Sequence, residues 1–262
     1  MARRDLRANR AIITGASSGI GRALATQLAR YGARLVLVAR REDRLNELAE
    51  QVRSAGGQAE TVVGDVTDAS IRQGAIERAC TAFGGFDTLI NNAGIGALGR
   101  FDQADPGRLR RIMEVNFFAT VELIRESLPH LATGTRPLIV NIDSVLGHRG
   151  IPLSSEYCAS KFAVQGFSQS IRAELASRGI DVLVVSPGTT ETEFFASVIE
   201  RRGEVPWGGR RGVSADYVAR CTLKAMRFGR HEIVPSWSGW LLCFAQRLAP
   251  GIVDGVMSRL AR

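Results

Sequence analysis

A tyrosine and a lysine, Tyr157 and Lys161, stand four residues apart in a stretch with a helical pattern. On a helix they would lie on the same face, one turn apart. A free tyrosine is a poor base at neutral pH, and lowering its pKa from about 10 to about 7 takes roughly 4 kcal/mol. One ammonium about 4 Å away, at an effective dielectric constant near 20, supplies a similar free energy. The pair would move a proton at neutral pH if it faced a cleft, whereas on a solvated helix face it would carry no function.

Apolar runs of strand length alternate with helical patterns along the chain and would position this pair. Strands are predicted at 11–14, 35–39, 59–63, 88–91, 138–142, 181–186 and 232–234, and helices near 20–31, 42–54, 69–83, 107–131, 155–178 and 214–228. The strands are continuously apolar, as in parallel sheets buried on both faces. Repeated strand–helix–strand units with right-handed crossovers predict an α/β, doubly wound, seven-stranded and mainly parallel sheet with helices on both faces. We predict one domain over 1–236 and an amphipathic extension over 237–262.

Three glycines, Gly15, Gly19 and Gly21, lie between the first predicted strand and the first predicted helix. Such a turn lets backbone amides approach a pyrophosphate, and the positive end of the helix points at that charge. No Gly-Lys-Ser/Thr follows, so the stretch is not a P-loop. We predict a dinucleotide-binding turn; a plain tight turn is the alternative. The other predicted contacts in this turn are Ser17, Ser18 and Ile20.

The residues after the second strand bear on the choice of cofactor. A carboxylate there would bind the ribose hydroxyls of NAD, whereas an arginine would accommodate the extra phosphate of NADP. Arg40 follows the strand directly, and Glu42 comes two residues later. Arginine binds phosphate through its planar fork of donors. The sequence therefore favours NADP (NADPH) over NAD; in the alternative, the arginines are solvated and Glu42 reaches the ribose.

Polar and small residues follow the later strands, at the edge of the sheet where doubly wound folds bind ligands. A hydroxyl at Ser144, after the fifth strand, would hold a substrate carbonyl beside Tyr157. Asn116 is a poor helix former within a helical pattern. Helix caps and braces of the sheet are the structural alternatives for such residues. The remaining candidates for the cofactor site are Asp65, Val66, Asn91, Ala93, Gly94, Pro187, Gly188 and Thr192.

In combination, these stretches resemble the short-chain dehydrogenase/reductase family. The order Thr-Gly-x-x-x-Gly-Ile-Gly, Asn-Asn-Ala-Gly, Ser, Tyr-x-x-x-Lys and Pro-Gly runs from about Ala11 to Thr192. The resemblance implies a Rossmann fold in which Tyr157 is the acid/base, Lys161 lowers its pKa and binds the nicotinamide ribose, and Ser144 orients the substrate oxygen. It implies that Asn116 holds the water of a proton relay. It further implies that the glycines line the pyrophosphate, that Asp65 lies at the adenine, and that Asn91 and Gly94 support the pocket.

The turn departs from one pattern of this family. Many NADP-preferring members carry a basic residue inside the glycine turn, where this chain has Ser17 and Ser18. Arg40 would therefore bind the phosphate with less help. The resemblance also implies a homodimer or homotetramer formed through the helices that match 107–131 and 155–178.

The implied function is that of an NADP(H)-dependent oxidoreductase (EC 1.1.1.-) acting on a carbonyl or secondary alcohol. The family places its substrate loop at about 189–212, where apolar residues lie among arginines and favour a lipid, steroid-like or aromatic substrate. These residues are Phe194, Phe195, Val198, Ile199, Trp207, Arg201, Arg202, Arg210 and Arg211. The alternative is a non-catalytic dinucleotide-binding sensor or regulatory protein on the same fold. A pure sensor, however, has no chemical need for Asn116, Ser144, Tyr157 and Lys161 together.

The composition of the chain limits the classes of partner and the cellular location that the sequence predicts. The net charge is +8, but the arginines are scattered without interleaved aromatics, so no nucleic-acid partner is predicted. Four widely spaced cysteines and three histidines predict neither a metal site nor a disulfide scaffold, and the cytoplasm is the expected location. An apolar stripe in the extension has three interpretations: packing on a subunit or the substrate loop, peripheral membrane contact, or ordinary core. The stripe consists of Trp237, Trp240, Leu241, Phe244 and Leu248.

Overall fold

The computed structural model describes residues 4–131, 133–196, 198–202 and 212–260. Six strands, β1 to β6, span Arg10–Thr14, Arg34–Ala39, Gln58–Val63, Thr88–Asn91, Leu138–Ile142 and Asp181–Val185, and an edge strand spans Glu232–Ile233. Nine helices, α1 to α9, span Gly19–Ala29, Glu42–Ser54, Ala69–Phe83, Arg108–Met113, Ala119–Leu131, Ser155–Ala176, Ala215–Phe228, Trp237–Leu248 and Pro250–Leu260 in this part of the chain. The helix predicted over 107–131 is interrupted by a π-helical turn, Glu114–Phe118.

These seven strands form one sheet in the order β3-β2-β1-β4-β5-β6-edge strand, and Thr190–Glu191 and Val213–Ser214 form a separate parallel pair. Each pairing between neighbours is parallel; Ile12, for example, lies beside Val36 on one side and Leu89 on the other. The predicted seven-stranded, doubly wound Rossmann fold is confirmed. Its strand order reverses between β1 and β4, which opens a crevice beyond their carboxyl ends.

Helices cover both faces of the sheet, which explains the continuously apolar strands. Ile13 belongs to a buried cluster with Leu24 of α1, while its neighbour Ile12 belongs to the opposite cluster with Ile76 of α3. Successive strand residues point to opposite faces, so both must be apolar when both faces are buried.

A chain of buried polar groups ties the centre of the sheet to α6. Asn91 Nδ2 donates to Asn141 Oδ1 at 2.9 Å, and Asn141 Nδ2 donates to Ser168 Oγ at 2.8 Å. Ser168 Oγ in turn donates to the carbonyl of Val164. Buried amides that find partners specify one arrangement. These bonds therefore hold the helix that carries Tyr157 in a defined position over β4 and β5.

The C-terminal helices leave an apolar face exposed. Gly239 and Cys243 are the buried residues of helix α8. Gly239 packs closely against Val145, because a Cβ added to this glycine would lie 2.7 Å from Val145 Cγ1. The outer side of α8 carries a stack in which the centroids of Trp237 and Trp240 are 5.1 Å apart. Trp237 is 74% exposed, so the interpretation of the stripe as ordinary core is wrong. Across the described residues, no helix combines the length and apolar character required to cross a bilayer.

Candidate active site

A cavity of about 820 Å³ runs along the carboxyl edge of the sheet, from the glycine turn to α6. It brings together most of the predicted site residues. Those that line it are Gly15, Ser17, Ser18, Gly19, Ile20, Arg40, Asp65, Val66, Ala93, Gly94, Ser144, Tyr157, Lys161, Pro187, Gly188 and Thr192. Gly21, Asn91 and Asn116 do not line it.

Asn92 holds the glycine turn against the end of β4, a role that the sequence did not reveal. Its side-chain Nδ2 donates to the carbonyls of Thr14 at 3.0 Å and Gly15 at 3.1 Å. Gly15 has φ of +63°, which favours glycine. At Gly21 an added Cβ would lie 2.5 Å from Asn92 Nδ2, so this glycine allows the close packing of helix and strand. Asn91, one residue earlier, points into the sheet.

Two arginines lie at the end of the cavity next to β2. Arg41, which the sequence analysis did not select, donates from Nη2 to Ser18 Oγ at 2.7 Å and from Nε to Ser17 Oγ at 3.3 Å. Its Nη1 also donates to Glu193 Oε2 at 2.9 Å. The expected Arg40 lines the same end, with its Nη1 3.6 Å from Asp65 Oδ2. The glycine turn therefore receives from Arg41 the basic group that its own sequence lacks.

Glu193 joins these arginines to the segment that follows β6. Its carboxylate accepts hydrogen bonds from both Arg41 and Arg44, the latter at 2.7 Å to Oε1. These two guanidinium groups lower the pKa of Glu193, with Arg44 contributing most. The positive charge next to β2 is therefore partly neutralised by a carboxylate from the predicted substrate loop.

Tyr157 and Lys161 lie near the start of α6 and share a face of the helix, as predicted. The Nζ atom of Lys161 is 5.7 Å from the centre of the Tyr157 ring and donates to the carbonyl of Ile142 at 2.9 Å. Burial raises the pKa of Tyr157, whereas the side chain of Ser144, which follows β5, acts on it in the opposite direction. The Ser144 Oγ also caps a short 3-10 turn by accepting from the Leu146 amide. The predicted hydroxyl, phenol and ammonium therefore meet on one wall of the cavity.

Within the protein chain, other influences on Tyr157 outweigh that of Ser144. Burial raises the pKa of Tyr157 well above its ordinary value, and the negative charge of Asp143 raises it further. Burial also lowers the pKa of Lys161, while Asp143 acts in the opposite direction. The pKa of Asp143 itself is raised to about 7 because its carboxyl is buried. Asp143 directly precedes Ser144 in the chain but was not among the predicted site residues.

The side chain of Asn116 lies in the π-helical turn and makes three hydrogen bonds within the protein. Its Oδ1 accepts from the amide of Ile95 at 2.8 Å, and its Nδ2 donates to the carbonyl of Ile95 and to Ser160 Oγ. π-turns within α-helices frequently occur at functional sites. The side chain thus braces the loop after β4 against α6, and the relay role remains a prediction.

The end of the cavity beyond Tyr157 is apolar. The rings of Phe194 and Tyr157 have centroids 5.4 Å apart, and Val198 lines the same region. Leu242 of α8 and Met257 of α9 also line it, so both C-terminal helices contribute to the wall. Of the arginines predicted at the loop edge, Arg201 and Arg202 are exposed. Residues 207, 210 and 211 of the predicted loop, like the side chain of residue 195, lie outside the described part of the structure.

Comparison with known proteins gives concordant results. A family model described as short chain dehydrogenase matches residues 9–203. The chain is 34% identical to dehydrogenase/reductase SDR family member 7B of Bos taurus, over 96% of this chain and 81% of the relative. It is 36% identical to 11-beta-hydroxysteroid dehydrogenase-like 3 of Arabidopsis thaliana, over 93% and 78%.

Two solved structures share the architecture. A short-chain dehydrogenase/reductase from Burkholderia phymatum, in complex with NAD, superposes with a TM-score of 0.85 over 95% of this chain and 96% of that one, at 24% identity. An alcohol dehydrogenase from Thermococcus sibiricus, complexed with 5-hydroxy-NADP, gives 0.75 over 86% and 95%, at 28% identity. The first of these establishes the fold alone.

Proposed function

This chain belongs to the short-chain dehydrogenase/reductase family and is an oxidoreductase, and from that premise we propose that it transfers a hydride between NADP(H) and a hydrophobic carbonyl or secondary alcohol. The observation that carries the proposal is the meeting of Ser144, Tyr157 and Lys161 at the apolar end of a cavity whose other end carries Arg40 and Arg41.

The cavity fits such a dinucleotide. The glycine turn allows close approach of a pyrophosphate to backbone amides at the start of α1. The hydroxyls of Ser17 and Ser18 orient Arg41 beside that turn, and Arg40 lies beside it. These guanidinium groups would bind the 2′-phosphate of NADP, and Asp65 would lie near the adenine. Lys161 and Thr192 would contact the nicotinamide half.

The protein groups supply the proton chemistry. When bound, the nicotinamide ring donates or accepts the hydride. In the direction of reduction, the Tyr157 hydroxyl donates its proton to the carbonyl oxygen, while the Ser144 hydroxyl hydrogen-bonds that oxygen. Lys161 provides a nearby positive charge that stabilises the phenolate left behind. Phe194 and Val198 line the substrate end with apolar surface, and an apolar surrounding strengthens these interactions.

The apolar lining favours a lipid, steroid-like or aromatic substrate over a sugar. Phe194, Val198, Leu242 and Met257 offer no hydrogen bonds to a polyol but bury apolar surface, worth about 25 cal/mol per Å². We therefore expect activity to rise with the apolar area of the ketone or aldehyde.

Replacement of Tyr157 by Phe tests the proposal. NADPH oxidation is followed by absorbance across a panel of ketones and aldehydes, and NADPH binding is followed by fluorescence. Tyr157→Phe should abolish turnover and leave NADPH binding largely unchanged, because the ring is kept and only the proton donor is lost. More than a few per cent of residual rate would contradict the role of Tyr157. Wild-type protein that binds NADPH but reduces no carbonyl would instead support the dinucleotide sensor.

Two surfaces suggest where this enzyme assembles and acts. Phe118, the last residue of the π-turn, is 47% exposed and Phe162 of α6 is 46% exposed, on the helices expected to form a homodimer or homotetramer. The Trp237–Trp240 stack lies on the exposed side of α8, and Arg247 in the last turn of the same helix is also exposed. Tryptophans at headgroup depth and arginines near lipid phosphate are typical of peripheral membrane contact. We propose a cytoplasmic homo-oligomer that touches an anionic membrane through this C-terminal face.

A further inference from the structure

A buried carboxyl group, that of Asp143, lies beside the proposed proton donor. Its residue is 4% exposed and lines the cavity. Among the described residues, neither Oδ atom accepts a hydrogen bond of good geometry. An ionised carboxyl without partners is costly to bury. We therefore expect this carboxyl to affect the ionisation of the groups around it in the active site.

The local backbone places this carboxyl next to Lys161. The amide of Asp143 donates to the carbonyl of Val185 at 2.7 Å, which fixes the end of β5. Lys161 Nζ donates to the carbonyl of Ile142, the residue directly before Asp143. Gly147 leaves the necessary space, because an added Cβ would collide with Asp143 Oδ2 and lie 3.0 Å from the carbonyl of Lys161. The carboxyl therefore lies between β5 and α6, on the same side of Gly147 as the backbone carbonyl of Lys161, and the ammonium of Lys161 acts on it through space.

The charges around Asp143 come from three further elements. Burial has the largest effect on the pKa of Asp143 and raises it; Lys161 of α6 lowers this pKa, and Glu232 of the edge strand raises it. From α8, the Cys243 thiol has its pKa raised to about 11, mainly by burial and in part by Glu232 and Asp143. His148 Nε2 lies 3.4 Å from Glu232 Oε1. Lys161 is the positive charge that acts on Asp143, and the charge of Asp143 acts in turn on Tyr157.

We propose that Asp143 offsets the charge of Lys161 and so holds Tyr157 in its protonated, proton-donating form, which sets this active site for carbonyl reduction. The inference rests on the proposed function. Reduction needs the phenol, whereas alcohol oxidation needs the phenolate as base. A negative charge near the phenol disfavours the phenolate. Oxidation should therefore require a higher pH than it would with the cation of Lys161 acting alone.

The test compares Asp143→Asn and Asp143→Ser with wild type and with Glu174→Gln. Glu174 is exposed on the same helix, so its replacement changes the net charge equally. The pH dependence of kcat/KM is measured for NADP-dependent oxidation of an alcohol and for the reverse reaction. In both Asp143 variants, the rising limb of the pH profile of kcat/KM for oxidation should move about 1–2 pH units lower. At a fixed pH on that limb, kcat/KM should therefore rise about tenfold or more. The control should not shift.

A second readout does not depend on turnover. Ultraviolet difference absorbance of the phenolate, with Tyr157→Phe in each background as the reference, reports the ionisation of Tyr157 directly. We expect ionisation at lower pH in both Asp143 variants. Unchanged absorbance titrations and unchanged pH profiles would overturn the role of Asp143 while leaving the oxidoreductase intact. Absence of turnover in wild type would overturn the proposed function, and the absorbance titration would still decide the role of Asp143.

Discussion

Arg41 should decide the preference for NADPH over NADH more strongly than Arg40 does. The side chain of Arg41 is 42% exposed and is held by the hydroxyls of Ser17 and Ser18, whereas the side chain of Arg40 is 67% exposed. An oriented guanidinium loses less conformational entropy when it binds a phosphate. We therefore predict that Arg41→Gln weakens NADPH binding and leaves NADH binding nearly unchanged.

The expected loss of NADPH affinity follows from the charged hydrogen bonds that Arg41 would make to the phosphate and from the exposure of the Arg41 side chain. A hydrogen bond to a charged group contributes about 1.5–3 kcal/mol, and partial exposure places Arg41 near the lower end of that range. Loss of about 1.5–2 kcal/mol corresponds to a roughly 10- to 30-fold increase in Kd for NADPH. For the more exposed Arg40, we expect Arg40→Gln to raise the same Kd only about two- to fivefold.

Fluorescence titration of each variant with NADPH and NADH, at low and at physiological salt, measures these effects. The NADPH affinity of wild type should fall more steeply with salt than that of Arg41→Gln, because one screened charge interaction is missing in the variant. An equal loss of affinity for both dinucleotides would refute the assignment of Arg41 to the phosphate. So would a larger effect of Arg40→Gln than of Arg41→Gln.

Three further predictions concern other parts of the molecule. Glu193→Gln should tighten NADPH binding about threefold without affecting NADH, because Glu193 competes with the phosphate for Arg41; an equal change for both would contradict this. Arg108→Leu should lower the free energy of unfolding, measured in urea, by about 3–5 kcal/mol, because the buried Glu156 would lose the guanidinium that lies 2.6 Å from its carboxylate. The double variant Arg108→Leu with Glu156→Leu should recover most of that loss. Trp237→Ser with Trp240→Ser should reduce co-sedimentation with anionic vesicles at unchanged oligomeric mass; a change in mass instead would assign the stack to a subunit contact.

Local sequence was sufficient to predict the strands of the central sheet, most of the helices and the proposed catalytic pair. Strands buried on both faces must be apolar at every position, so Ile12 and Ile13 are visible as part of a parallel strand without any structure. The four-residue spacing of Tyr157 and Lys161 is a property of one helix. The apolar strand pattern and the Tyr-x-x-x-Lys spacing both depend on neighbours along the chain, so both can be recognised without knowledge of the fold.

Which member of a residue pair contacts the glycine turn was decided only in three dimensions. Arg40 and Arg41 are chemically identical in the sequence, and Asn91 and Asn92 likewise, but neighbouring residues at a strand end point in different directions. Arg41 was not selected because the hydroxyls that orient it lie in the turn after β1, 23 and 24 residues earlier in the chain.

The electrostatic state of Tyr157 also depended on tertiary structure. The sequence alone indicated a cation that would lower the pKa of the phenol. The fold adds the burial of Tyr157 and the negative charge of Asp143, both of which raise it. Asp143 reaches this position because β5 ends beside α6 and Gly147 leaves room for its carboxyl. Burial and charge act through space, so their balance became visible only when strands and helices distant in sequence were packed together.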